Sequence, residues 1–151
     1  MSMSAPRSPL FMLLLACAPA MAAPISAPPT LQAEDAWIRW LPAGLPAAGY
    51  LTLTDSGDSP AVLVGVTSSA FARISLHRSV DAGGMMSMEP VSKITIRPHS
   101  SLSFTLAHYH LMLMDPTSAV KPGAHVPMML EFADGSVLKV DFEVRPADSG
   151  G

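Results

Sequence analysis

Residues 126–144 read Val126-Pro127-Met128-Met129-Leu130-Glu131-Phe132-Ala133-Asp134-Gly135-Ser136-Val137-Leu138-Lys139-Val140-Asp141-Phe142-Glu143-Val144. In an extended chain Val126, Met128, Leu130 and Phe132 share one side, with Pro127, Met129 and Glu131 opposite. Leu138, Val140, Phe142 and Val144 alternate in the same way with Lys139, Asp141 and Glu143. Successive side chains of a strand point to opposite faces, so a period of two with one apolar face predicts two half-buried strands. Asp134-Gly135 between them predicts a tight hairpin. Met128 falls on the apolar face, where an adaptable thioether serves as core filler.

Outward from this hairpin, almost every segment has strand length. Glu34 to Trp40, Gly49 to Thr54, Ala61 to Thr67, Arg73 to Ser79, Met86 to Arg97, Ser101 to Leu106 and Tyr109 to Met114 are separated by turn signals such as Asp55-Ser56-Gly57-Asp58. No stretch of helical length keeps a helical period without Gly or Pro interrupting it. Fifteen Pro and ten Gly suit many short connections. About nine short strands predict an all-β domain, an antiparallel sandwich or small barrel.

The termini read differently. Residues 1–23 carry one charge, Arg7, and the apolar run Leu10 to Ala18, which is too short to cross a bilayer. Ala20-Met21-Ala22 places small residues where a signal peptidase reads, so residues 1–23 are expected to be a signal peptide cleaved near Ala22 or Ala23. The competing reading is Leu14-Leu15-Ala16-Cys17 as a lipobox, which would lipidate Cys17 and tether the protein. Residues 24–32 read as a flexible linker, 33–146 as the folded domain and 147–151 as a flexible tail. Without the export segment, 8 Lys and Arg face 12 Asp and Glu, a net charge of −4 that argues against nucleic-acid or anionic-membrane partners. Cys17 is the only cysteine, so disulfides, thiolate zinc sites and thiolate catalysis are excluded from the domain.

The remaining methionines and histidines divide into two kinds. In Tyr109-His110-Leu111-Met112-Leu113-Met114, alternation assigns Tyr109, Leu111 and Leu113 to the core and His110, Met112 and Met114 to the other face. In Arg73-Ile74-Ser75-Leu76-His77, His77 lies opposite Ile74 and Leu76. Gly83-Gly84-Met85-Met86-Ser87-Met88 is a glycine-led methionine cluster. Each residue alone could be ordinary surface or satellite packing. Together, imidazole and thioether are the neutral ligands that suit the soft ion Cu(I), whereas zinc or iron favours thiolate, more histidines or carboxylate. Met85, Met86 and Met114 are either auxiliary ligands or a hydrophobic collar, with collar favoured; His99, His108 and His125 are expected to face solvent.

The spacing His77-x10-Met88-x21-His110-x-Met112 resembles the H-x10-M-x21-H-x-M signature of the PCu(A)C copper chaperone family (DUF461). The resemblance extends over Ala36-Trp37-Ile38-Arg39, Ala48-Gly49-Tyr50-Leu51-Thr52-Leu53, the Gly83-Gly84 cluster, Tyr109 to Met114 and the last hairpin. It implies a cupredoxin-like antiparallel β-sandwich or small Greek-key barrel in the periplasm. It further implies copper as Cu(I) ligated by His77, Met88, His110 and Met112. The partner it implies is the CuA subunit of cytochrome c oxidase or another periplasmic copper-assembly protein, with the chaperone monomeric and non-enzymatic. Two departures stand out. Arg78, Ser79 and Val80 follow His77 where many members carry a Met, and the tail Pro146 to Gly151 lacks the His and Met that form a second site in some members.

Copper storage and a metal-free interaction module are the competing readings. A blue-copper electron carrier would need a Cys thiolate, which the domain lacks. The chain carries no Gly-x-Ser-x-Gly elbow, His-Glu-x-x-His helix or phosphate-binding Gly loop to support a hydrolase.

Overall fold

The computed structural model describes residues 23, 25–28, 30–42, 44–117 and 120–149. Residues 1–22 of the expected signal peptide, with Cys17, lie outside the described residues, as do Gly150 and Gly151. The described chain forms strands β1 (Ile25–Ser26), β2 (Leu31–Arg39), β3 (Ala47–Asp55), β4 (Ala61–Thr67), β5 (Phe71–Ala82), β6 (Met85–Pro90), β7 (Ile94–Ile96), β8 (Ser100–Ser103), β9 (Tyr109–Pro116), β10 (His125–Phe132) and β11 (Ser136–Arg145). They hydrogen-bond in the order β6-β5-β9-β3-β2-β11-β10-β4-β7, with β1 on β11 and β8 on β3. The far strand β7 returns against β3 and β8, curling the sheet into a cupredoxin-like sandwich. Pairing is antiparallel except for β1 and β2, which both run parallel to β11.

The alternation of 126–144 is realised directly. Val126, Met128, Leu130 and Phe132 are buried, as are Val140, Phe142 and Val144. They join Ile38, Leu51, Leu53, Leu63, Ile94, Leu111 and Leu113 in one core. At the hairpin, Gly135 takes φ 85°. The Asp134 carboxylate accepts a hydrogen bond from the Ser136 amide at 2.9 Å, closing the turn.

Some boundaries shift. The run read as one strand from Met86 to Arg97 is two strands, β6 and β7, because the chain leaves the sheet at Val91 and re-enters on the opposite edge. The segment expected from Ser101 to Leu106 ends at Ser103, leaving Leu106 in a turn. In the stretch read as a linker, Ile25 and Ser26 pair with Ser136 and Val137, and buried Leu31 opens β2. A two-residue edge pairing needs no apolar alternation, so composition does not reveal it. In the segment read as a tail, the Ala147 carbonyl accepts a 2.9 Å hydrogen bond from Arg39 Nε.

Gly49 pairs with Leu111 where β3 meets β9. A Cβ at Gly49 would stand 3.1 Å from Leu111 Cβ, and Leu111 is wholly buried. Gly49→Ala is therefore expected to cost about 1–3 kcal/mol through overpacking, read as a lower denaturation midpoint.

Candidate metal centre

Three neighbouring strands bring the histidines and methionines onto one face. Across β5 and β9, His77 lies directly opposite His110 and Ser75 opposite Met112. Across β5 and β6, Ser79 lies opposite Met88 and Asp81 opposite Met86. Cross-strand partners share a face, so His77, His110, Met112, Met88 and Met86 project from the same side of the sheet. Leu76, Leu111 and Leu113 project from the other side into the core. The imidazole centroids of His77 and His110 are 5.9 Å apart, with the rings tilted by 33°.

Met88 stands on β6, the end strand of the sheet. Gly83 and Gly84, with φ of 67° and 85°, form the two-residue turn from β5 into β6. Positive φ at both central positions matches the twist of the flanking strands, so the glycines produce a hairpin instead of an open loop.

The face is not exposed at its centre. His110 is 1% accessible, because Met88, Arg39, Leu41, Pro46, Tyr50 and Leu106 surround it together with Met112 in a cavity of 140 Å³. Alternation identified the face correctly, but its covering residues come from distant turns. Tyr50 and Leu106 therefore carried no local signal as cavity-lining residues. Burial raises the Tyr50 pKa, opposed by Arg39, so the phenol stays neutral. As expected, His99, His108 and His125 face solvent, His99 against Asp58 and His125 against Asp141.

The polar atoms of this face are unusual. His77 Nε2 lies 3.0 Å from Ser75 Oγ. His77 Nδ1 and both ring nitrogens of His110 are buried with no hydrogen-bond partner among the described residues. Each such group costs about 1–3 kcal/mol if nothing meets it. Burial lowers the His110 pKa, the His108 backbone opposes this without reaching hydrogen-bond geometry, and the neighbouring His77 lowers it further. The imidazole is thus held neutral, with a lone pair available to a metal. Among the described residues no three His, Cys, Asp or Glu side chains are placed to share a metal ion. A metal at this face would draw on the thioethers as well as the imidazoles, a donor set that fits Cu(I).

The depressed His110 pKa has a direct consequence. As pH falls below the free-imidazole value of 6.5, the unfolded chain takes up a proton before the folded chain does. Apo stability is expected to hold above pH 7, decline from about pH 6.5 downward and level off below the folded pKa. Urea titrations across this range check it, and His110→Leu should remove this contribution.

The sandwich has the fold of PCuAC domains. It superposes on the copper-bound PCuAC domain from PmoF2 with a TM-score of 0.65 and 23% identity, covering 78% of this chain and 93% of that one. It superposes on the solution structure of CuI-DR1885 from Deinococcus radiodurans with a TM-score of 0.60 and 29% identity, covering 83% and 81%. The family model described as "LpqE-like: Putative lipoprotein LpqE-like" matches residues 31–144, and the chain belongs to this family. It is also 31% identical over 116 residues to "Putative lipoprotein Lxx21020" of Leifsonia xyli subsp. xyli (strain CTCB07), covering 76% of this chain and 69% of that protein.

Proposed function

We propose that this protein is an extracytoplasmic Cu(I) chaperone that holds copper through His77, Met88, His110 and Met112 and passes it to the CuA centre of cytochrome c oxidase. The observation that carries the reading is the pairing of two imidazoles, with three buried and unpartnered nitrogens, beside two thioethers on the same face. All four donors are neutral, so a bound Cu(I) keeps a single positive charge. Arg39 lines the same cavity, and its cation disfavours a doubly charged ion more than a singly charged one. The likeness to the CuI-DR1885 structure supports the same ion. Delivery is favoured over storage because the four donors share one face of adjoining strands, which offers a single small site.

Anaerobic titration of the purified domain is expected to give about one Cu(I) per chain, with much weaker Cu(II) binding. X-ray absorption should show both sulfur and nitrogen neighbours. No Cu(I) uptake would overturn the reading and favour a metal-free interaction module. Retention should fall as pH drops through the lowered His110 pKa, which lies below the free-imidazole value of 6.5, because protons then compete for that imidazole. Unchanged affinity from about pH 8 to 5 would indicate an all-methionine site. Oxidase activity in a copper-limited deletion strain tests delivery, and a normal CuA centre there would favour storage.

The family description also bears on attachment. Both the family model and the Leifsonia protein are described as lipoproteins, which favours Cys17 as a lipidated anchor over cleavage near Ala22 or Ala23. Among the described residues no helix is long and apolar enough to cross a membrane. Cys17→Ser is expected to move the protein from the membrane fraction to the soluble one. A wild-type protein found soluble, with its N-terminus at Ala23 or Pro24, would restore the signal-peptide reading.

A further inference from the structure

We propose that Met86 is a handover position through which Cu(I) enters and leaves the centre, an inference that rests on the four-ligand reading above. His110 is buried, and His77 and Met112 are half-buried, whereas Met88 is 50% exposed. An incoming donor or acceptor therefore meets the site from the β6 side. Among the described residues that strand has no neighbour beyond it in the sheet, and all six of its own residues are exposed.

From the level of the histidines toward the hairpin tip, the same-face residues of β6 are Pro90, opposite His77, then Met88, then Met86. Met86 lies about 7 Å farther along the strand than Met88, a gap that two flexible thioether arms can bridge. Packing does not account for it, since Met86 is 62% exposed and lies outside the core. The residue opposite, Asp81, is committed to the turn, because its Oδ1 accepts the Gly84 amide at 2.8 Å. The face thus offers a departing Cu(I) a second soft donor at the surface. In the transfer one neutral donor replaces another, copper remains Cu(I), and no proton or electron moves.

Strand alternation supplies the control. Met85 is the adjacent residue, is 76% exposed, and projects from the opposite face. The test is the rate at which Cu(I)-loaded protein gives up its metal to the chelator bathocuproine disulfonate, measured by stopped flow. Met86→Leu is expected to slow transfer by about tenfold with equilibrium affinity and melting temperature unchanged, while Met85→Leu transfers at the wild-type rate. In a methyl-labelled sample, added Cu(I) should broaden or shift the Met86 resonance and leave Met85 unaffected. Wild-type rates in Met86→Leu, or equal slowing in Met85→Leu, would overturn the handover role while leaving the four-ligand site standing. Failure of the wild-type protein to bind Cu(I) would remove both.

Discussion

His110→Leu is expected to stabilise the apo-protein while abolishing high-affinity Cu(I) binding. Both ring nitrogens of His110 are buried without a partner among the described residues, and the residue is 1% exposed. Replacing it with an apolar side chain removes two unsatisfied polar atoms while keeping much of the volume, a change worth about 1–2 kcal/mol in favour of folding. The melting temperature should rise by about 3–6 °C. Affinity should fall by about 100-fold or more, because the most rigidly held ligand is gone. If His110 were an ordinary core residue, the same substitution would leave copper binding intact. A lower melting temperature together with unchanged affinity would refute the assignment.

The second large effect separates two methionines that composition alone cannot distinguish. Met128 is fully buried on the core face of β10, whereas Met112 stands on the histidine face of β9 and lines the cavity. Met128→Ala should cost about 2–5 kcal/mol through lost burial and the cavity left behind, with Cu(I) affinity unchanged. Met112→Leu preserves volume and should cost less than about 1.5 kcal/mol in stability. Its Cu(I) affinity should nevertheless drop by at least about tenfold, since a branched alkyl group offers no lone pair. Chemical denaturation and competitive Cu(I) titration on the same samples read both quantities. Equal loss of affinity in the two variants would mean that the methionines act only through packing.

Much of the fold was legible because a strand with one buried face writes itself into sequence at a period of two. Residues 126–144 alternate in composition and alternate in burial. The same rule placed His110 and Met112 together, and His77 opposite Ile74 and Leu76. It failed where burial follows no local period: at β1, which is too short to have one, and at β6, where all six residues are exposed. The run from Met86 to Arg97 therefore reads as one strand where the chain makes two. The exposed strand is held by its Gly-Gly turn and its pairing with β5, neither of which requires an apolar face.

By itself the sequence determined the strand-rich class, the absence of a thiol outside the export segment, and the grouping of imidazoles and thioethers by parity and spacing. Those follow from composition and from the geometry of an extended chain. Only the tertiary structure decided that His77 and His110 stand side by side, that the site is bounded by Tyr50, Arg39 and Leu106, and that its accessible side is β6. The register of β5 against β9 and the cover over His110 are set by residues tens of positions apart. Local periodicity reports which way a side chain points, but not what the rest of the chain places in front of it.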